Sequence, residues 1–173
     1  MGRAVILCGA LSILAAAVPA AANDSLYTDL DLDRCRILEQ VEEGESVSWE
    51  CPGQAGIPLF VSSGDGRFDI DAGVPNDEWE TLPPFNNPGP RVEWRVDGPG
   101  SQAIIFRLVS ADPERPGSAL FVATVGRAGA PGCTVAVIDG SLRNANRRAR
   151  QIADRRAGAF RCGTDVAERL PAR

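Results

Sequence analysis

Apolar and polar residues alternate through residues 35–51, CRILEQVEEGESVSWEC, with the period of two that marks half-buried strands. Glu42-Glu43-Gly44 reads as a three-residue hairpin loop with Gly44 in the left-handed position. Folding there sets residue 41 against 45, 37 against 49, and Cys35 against Cys51. One face then carries Cys35, Ile37, Val47, Trp49 and Cys51. The other carries Arg36, Leu38, Gln40, Ser46, Ser48 and Glu50, with Arg36 opposite Glu50 as an exposed ion pair of small energetic value.

Further along, Pro58–Ser63 and Phe68–Ile70 form short strands around the turn Ser63-Gly64-Asp65-Gly66. Residues 72–90 are rich in Pro, Gly and Asn and show no periodicity, so they form the longest loop. Val92–Val96 alternates like a half-buried strand. Ala103–Val109, Ala119–Val125 and the run CTVAVID at 133–139 follow as strands joined by turns at 97–100, 112–117 and 127–132. The 119–125 strand is apolar on both faces, which places it centrally. Apolar residues at 142, 145, 149, 152, 153, 157 and 160 then predict a helix from Leu142 to about Phe160. Residues 163–173 are polar and are expected to fray. The pattern as a whole predicts an α+β domain: an antiparallel β-sheet, hairpin plus meander, covered by one C-terminal α-helix.

The first 22 residues have a different character. Arg3 precedes an apolar stretch from Ala4 to Val18, and the small residues Ala20-Ala21-Ala22 follow. This reads as a secretory signal peptide cut before Asn23, leaving a single domain over residues 23–173. No apolar run is long enough to span a bilayer. The expected location is periplasmic or secreted, and export to an oxidising compartment turns the cysteines into disulfides. Cys8 lies within the apolar run. Cys35 and Cys51 face each other in the hairpin, close enough to bond. The remaining pair is Cys133 with Cys162. The strand from 133 advances ~20 Å, and the helix returns ~27 Å to bring Cys162 back beside it. The absence of C-x-x-C spacing argues against a cysteine metal site.

Composition narrows the chemistry. There is no His and no Lys, so every basic residue is Arg. That excludes Ser-His-Asp and Cys-His catalysis, His-containing metal sites, and Lys-based Schiff-base or P-loop chemistry. The formal net charge of −5 becomes −6 once Arg3 leaves with the signal peptide, which disfavours nucleic acid as a partner.

Several residue groups remain as candidates. Asp29, Asp31 and Asp33 alternate with Leu30 and Leu32, as on one solvated strand face. Asp65, Asp69 and Asp71 miss the EF-hand spacing and read as a solvated turn. Asp77, Glu78 and Glu80 flank Trp79 in the long loop, where acids beside an aromatic suit glycan binding or glycan hydrolysis. Arg143, Arg147, Arg148, Arg150, Arg155 and Arg156 form a basic cluster on the helix, on a face opposite the apolar stripe. Trp49 and Trp94 read as core. No catalytic, cofactor or metal residue is assigned. The residues expected to meet a partner are Trp79, Phe85, Arg147, Arg148 and Arg155.

Five stretches carry a resemblance: Tyr27–Asp33 followed by Cys35, Trp49–Gly53, Thr81–Asn86, Val92–Arg95, and the helix leading to Cys162. Together they resemble a family of exported proteobacterial proteins of unknown function. The resemblance implies export and the cysteine framework, and brings no activity. In outline, a disulfide-stapled β-rich domain is also similar to lysozyme-inhibitor proteins, with no inhibitory motif matched. The sequence therefore leads to an exported envelope protein that binds a protein or cell-wall partner without catalysis. Its alternatives are a carboxylate-dependent glycan hydrolase and a structural or stress-related envelope protein.

Overall fold

A computed structural model describes residues 24–41, 46–98 and 100–172. The stretch read as a signal peptide, its expected cleavage site, and the expected loop Glu42-Glu43-Gly44 lie outside the described residues. The strands are β1 (Asp24–Asp29), β2 (Arg36–Gln40), β3 (Ser46–Gln54), β4 (Ile57–Gly64), β5 (Arg67–Ala72) and β6 (Asn86–Pro88), then β7 (Arg91–Asp97), β8 (Gly100–Ser110), β9 (Ser118–Thr124), β10 (Thr134–Asp139) and β11 (Glu168–Leu170). One helix, α1 (Ala145–Arg156), lies between β10 and β11.

The strands form two sheets where the sequence suggested one. The large sheet runs β1-β7-β8-β9-β10-β11, with β6 beside the far end of β8; the small sheet runs β2-β3-β4-β5. Leu59, Val61 and Ile70 of the small sheet pack against Trp94, Ile104, Phe106, Leu108 and Phe121 of the large one. The Phe106 and Phe121 rings stack with centroids 5.2 Å apart. Alternate residues of the same strands, Ala103, Ile105, Leu120 and Val122, point the other way and meet Ala149, Ile152 and Ala153 of α1. Strands β8 and β9 are thus buried on both faces, which is why 119–125 carries no polar alternation. Trp94 is fully buried and Trp49 is partly buried against the same core, as expected of both.

Helix α1 is shorter than its apolar pattern. Asn144 takes the left-handed conformation (φ 64°), which interrupts the helical run between Leu142 and Ala145. At the other end the chain tightens into a 3₁₀ turn over Ala157–Ala159. The C-terminal stretch expected to fray instead supplies β11, which pairs parallel to β10. Arg169 of β11 also reaches Glu80, at 3.0 Å. Only two residues follow β11 before the end of the described chain.

Both disulfides form as the spacing implied, Cys35–Cys51 and Cys133–Cys162. In the first hairpin, Arg36 lies opposite Glu50 and forms the expected ion pair, and Ile37 lies opposite Trp49. Beyond Ile37 the register shifts at a bulge, so Glu39 faces Ser48 and Gln40 faces Val47. The whole of β2 is exposed, so no buried face enforces strict alternation there. The three aspartates at 29, 31 and 33 do not share a strand face. Strand β1 ends at Asp29, Leu30 is buried, and Asp31 caps a 3₁₀ turn by accepting the Asp33 N–H.

Candidate functional site

The loop between β5 and β6 lies down along β5. Asn76 donates through its backbone N and its Nδ2 to the two Asp71 oxygens, at 3.0 and 2.6 Å, and its Nδ2 also donates to the Gly132 carbonyl at 3.0 Å. Asp69 accepts the Ile70 N–H at 2.9 Å and a backbone N–H from Glu80. Thr81 donates to the Phe68 carbonyl. Asn86 then accepts the Phe68 N–H. As the edge of the small sheet, β5 needs partners for its outward backbone groups. At Phe68 and Ile70 those partners are side chains of Asn86, Thr81 and Asp69.

This arrangement corrects the solvated reading of Asp69 and Asp71, while Asp65 stays on a solvated turn as expected. Strand register puts Ser48, Ser62 and Asp69 in one row of the small sheet's outer face, and Glu50, Phe60 and Asp71 in the next. The loop closes over the β5 end of these rows, and Asp69 is buried while Asp65 stays exposed. Burial, joined by the charge of Asp71, raises the Asp69 carboxyl to about 7. Burial likewise raises Asp71 to about 6, with Glu78 adding repulsion and the Asn76 hydrogen bonds opposing it.

A stability profile follows. Between about pH 4 and pH 7 the folded chain holds protons on these groups that the unfolded chain has lost. Stability must therefore fall as pH rises through this window, by a total on the order of 2–4 kcal/mol. Asp112, Asp139 and Asp165 are held below their ordinary range, chiefly by hydrogen bonds from Arg115, Ser141 and Arg161. Their contribution is lost only in stronger acid. Thermal unfolding should show a maximum near pH 4–5 and a decline toward pH 8; Asp69→Asn should shrink that decline and end it near pH 6, where the Asp71 share is complete. An unchanged decline in that variant would clear Asp69 of responsibility.

Of the acids that flank Trp79, Glu80 pairs with Arg169, whereas Asp77 and Glu78 are exposed. Trp79 is 44% and Phe85 58% exposed. The Phe85 ring lies over the Gly66 turn, where a Cβ would come within 2.9 Å of it. Among the described residues no hydrogen bond or cation–π contact joins these two aromatics to the helix arginines. Nor does any grouping of three or more His, Cys, Asp or Glu there have the placement to hold a metal ion.

The helix carries two kinds of arginine. Arg150 and Asp154 face inward onto the β7–β1 end of the large sheet. Arg95, 4% exposed, binds Asp154 through two parallel contacts of 2.8 and 2.9 Å and lies 3.5 Å from Glu93. Arg150 binds Glu93 at 2.6 Å and the Tyr27 hydroxyl at 3.0 Å. Ser25 joins both Glu93 and Arg95. Sequence reading missed this network because Glu93 and Arg95 occupy the polar positions of an alternating strand. Their opposite charges, two residues apart, were the available signal.

The outward arginines differ. Arg143, expected on the helix, lies before it, ahead of the left-handed Asn144. Arg143 and the helical Arg147, Arg148 and Arg155 are exposed, and among the described residues none has a side-chain ion pair or hydrogen bond. Arg156, by contrast, lies beside Glu168 and over Phe160. Elsewhere Arg36, Arg67, Arg91, Arg95, Arg115, Arg161 and Arg169 each hold a carboxylate. Arg147 and Arg155 are about 12 Å apart along the axis, and Arg148 is adjacent. The stripe is thus a concentrated cationic face on an acidic chain. No protein-family model, curated protein or solved structure matches this chain.

Proposed function

We propose that the chain is an exported, non-catalytic protein of the cell envelope that binds an anionic partner, an acidic protein or a cell-wall glycan, through the outer face of α1. The unpaired stripe of Arg147, Arg148 and Arg155 carries this reading. Like charges crowded on one short helix repel each other, and an anionic partner relieves that repulsion while gaining donors suited to carboxylate or phosphate. The paired disulfides agree with residence in an oxidising compartment. No described helix is long and apolar enough to cross a membrane.

The test uses oxidised mature protein, co-sedimented with purified cell wall and used to capture proteins from envelope extract, at low and high salt. The variant with Arg147, Arg148 and Arg155 all changed to Gln should bind about ten-fold more weakly or worse, and wild-type binding should fall with salt. If that variant retains everything the wild type retains, the helix face is not the binding surface.

A second reading, a carboxylate-dependent glycan hydrolase, draws on Asp69, which titrates near neutrality as a general acid does. Against it, Asp69 is buried and holds two backbone N–H groups. Release of sugar fragments from wall glycan, abolished by Asp69→Asn in a folded variant, would favour the enzyme.

A further inference from the structure

A groove of about 590 Å³ lies where β8 begins and β9 ends, between Gln102, Val125, the turn at Arg127–Pro131 and the 3₁₀ end of the helix at Gly158 and Phe160. That volume suits a small molecule. Its walls are fixed. Arg127 and Ala130 exchange backbone hydrogen bonds of 2.9 and 2.8 Å, closing the turn. The Thr124 hydroxyl accepts the Cys133 N–H at 2.9 Å, and the Cys133–Cys162 disulfide ties the strand to the segment after the helix.

The lining chemistry is one-sided. No carboxylate borders the groove, although the chain as a whole is acidic. Its one charged side chain, Arg127, is exposed and has no ion pair among the described residues. Gln102 sets its amide in the wall, with its oxygen 3.0 Å from where a Gly158 Cβ would stand. The amide nitrogen is buried without a hydrogen-bond partner. Rotation about the soft last torsion of Gln102 turns those N–H donors toward the groove. The remaining surface is apolar, from Val125, Pro131 and the Phe160 ring. Arg155 and Arg156 in the last helical turn offset the negative end of the helix dipole nearby.

We propose that this groove binds a small organic anion, a carboxylate carried on a flat or short apolar body. Arg127 and the rotated Gln102 amide hold the carboxylate, and the body lies against Phe160 and Pro131. This site is separate from the helix face, so either can fail alone.

The experiment titrates the oxidised mature chain with benzoate, cyclohexanecarboxylate and neutral benzamide, followed by NMR. Both carboxylates should saturate with shifts at the Gln102 side-chain amide, and benzamide should bind at least about ten-fold more weakly. Arg127→Gln should erase that preference. Gly158→Leu places a side chain in the groove and should abolish binding, with thermal unfolding confirming that both variants fold. No saturation by either carboxylate up to about 10 mM overturns the proposal. So does equal binding of benzoate and benzamide, or binding that survives Gly158→Leu.

Discussion

Replacing Arg95 by Met is expected to cost about 3–5 kcal/mol of folding stability, although the two side chains have similar reach. Arg95 lies beneath the helix, where its guanidinium is the shared counter-charge for Asp154 and Glu93. Removing it takes one counter-charge from the buried Glu93 carboxylate, which retains Arg150, and the bidentate partner from Asp154, whose side chain is partly open to water. Adding Asp154→Leu should recover at least half of the loss, because an absent pair costs much less than a broken one. Urea unfolding of the two single variants, the double variant and the wild type supplies the cycle. A single-variant cost below about 1 kcal/mol would make this network no stronger than an exposed pair.

Asn86→Ala should cost a similar amount, about 3–4 kcal/mol, and concentrate its damage in one place. Asn86 is 1% exposed. Its oxygen accepts the Phe68 N–H at 3.2 Å, and its nitrogen donates to Thr81 Oγ1, Leu82 O and Pro84 O at 3.2, 3.1 and 2.9 Å. Alanine removes all four contacts at once and leaves the Phe68 N–H and the Leu82 and Pro84 carbonyls, all partly buried, without the Asn86 amide, while Thr81 keeps its bond to the Phe68 carbonyl. Asn86→Asp is the sharper probe. It preserves shape but turns an acceptor toward two carbonyls, so it should be at least as damaging at neutral pH. Hydrogen exchange should show loss of protection across residues 76–82 before the central strands. A well-tolerated Asn86→Asp substitution would mean the loop is held by other means.

How much could be read in advance depended on whether local pattern or distant partners decided a feature. The strands of the meander have long apolar runs bounded by Gly/Pro turns, and β7 to β10 lie within a few residues of where pattern places them. The disulfides were legible because Cys35 and Cys51 share a hairpin and two cysteines then remained. The split into two sheets was not legible. It depends on β1 crossing the molecule to pair with β7, and nothing in DSLYTD names that partner. The bulge after Ile37 escaped because an exposed strand lacks the burial that polices register. Asp69 was misread for the same kind of reason: only the loop that follows β5 buries it. Among the candidate site residues, the outward position of Arg147, Arg148 and Arg155 follows from helical periodicity. The engagement of Arg150 with Glu93 required knowing what lay beneath.

Each bonded cysteine is joined to its nearest neighbour in sequence among the four, 35 to 51 and 133 to 162, and neither loop encloses a member of the other. Among these four, oxidation in chain order joins Cys35 to Cys51 before Cys133 is available and leaves Cys133 only Cys162, so the native connectivity needs no reshuffling once Cys8 is out of reach.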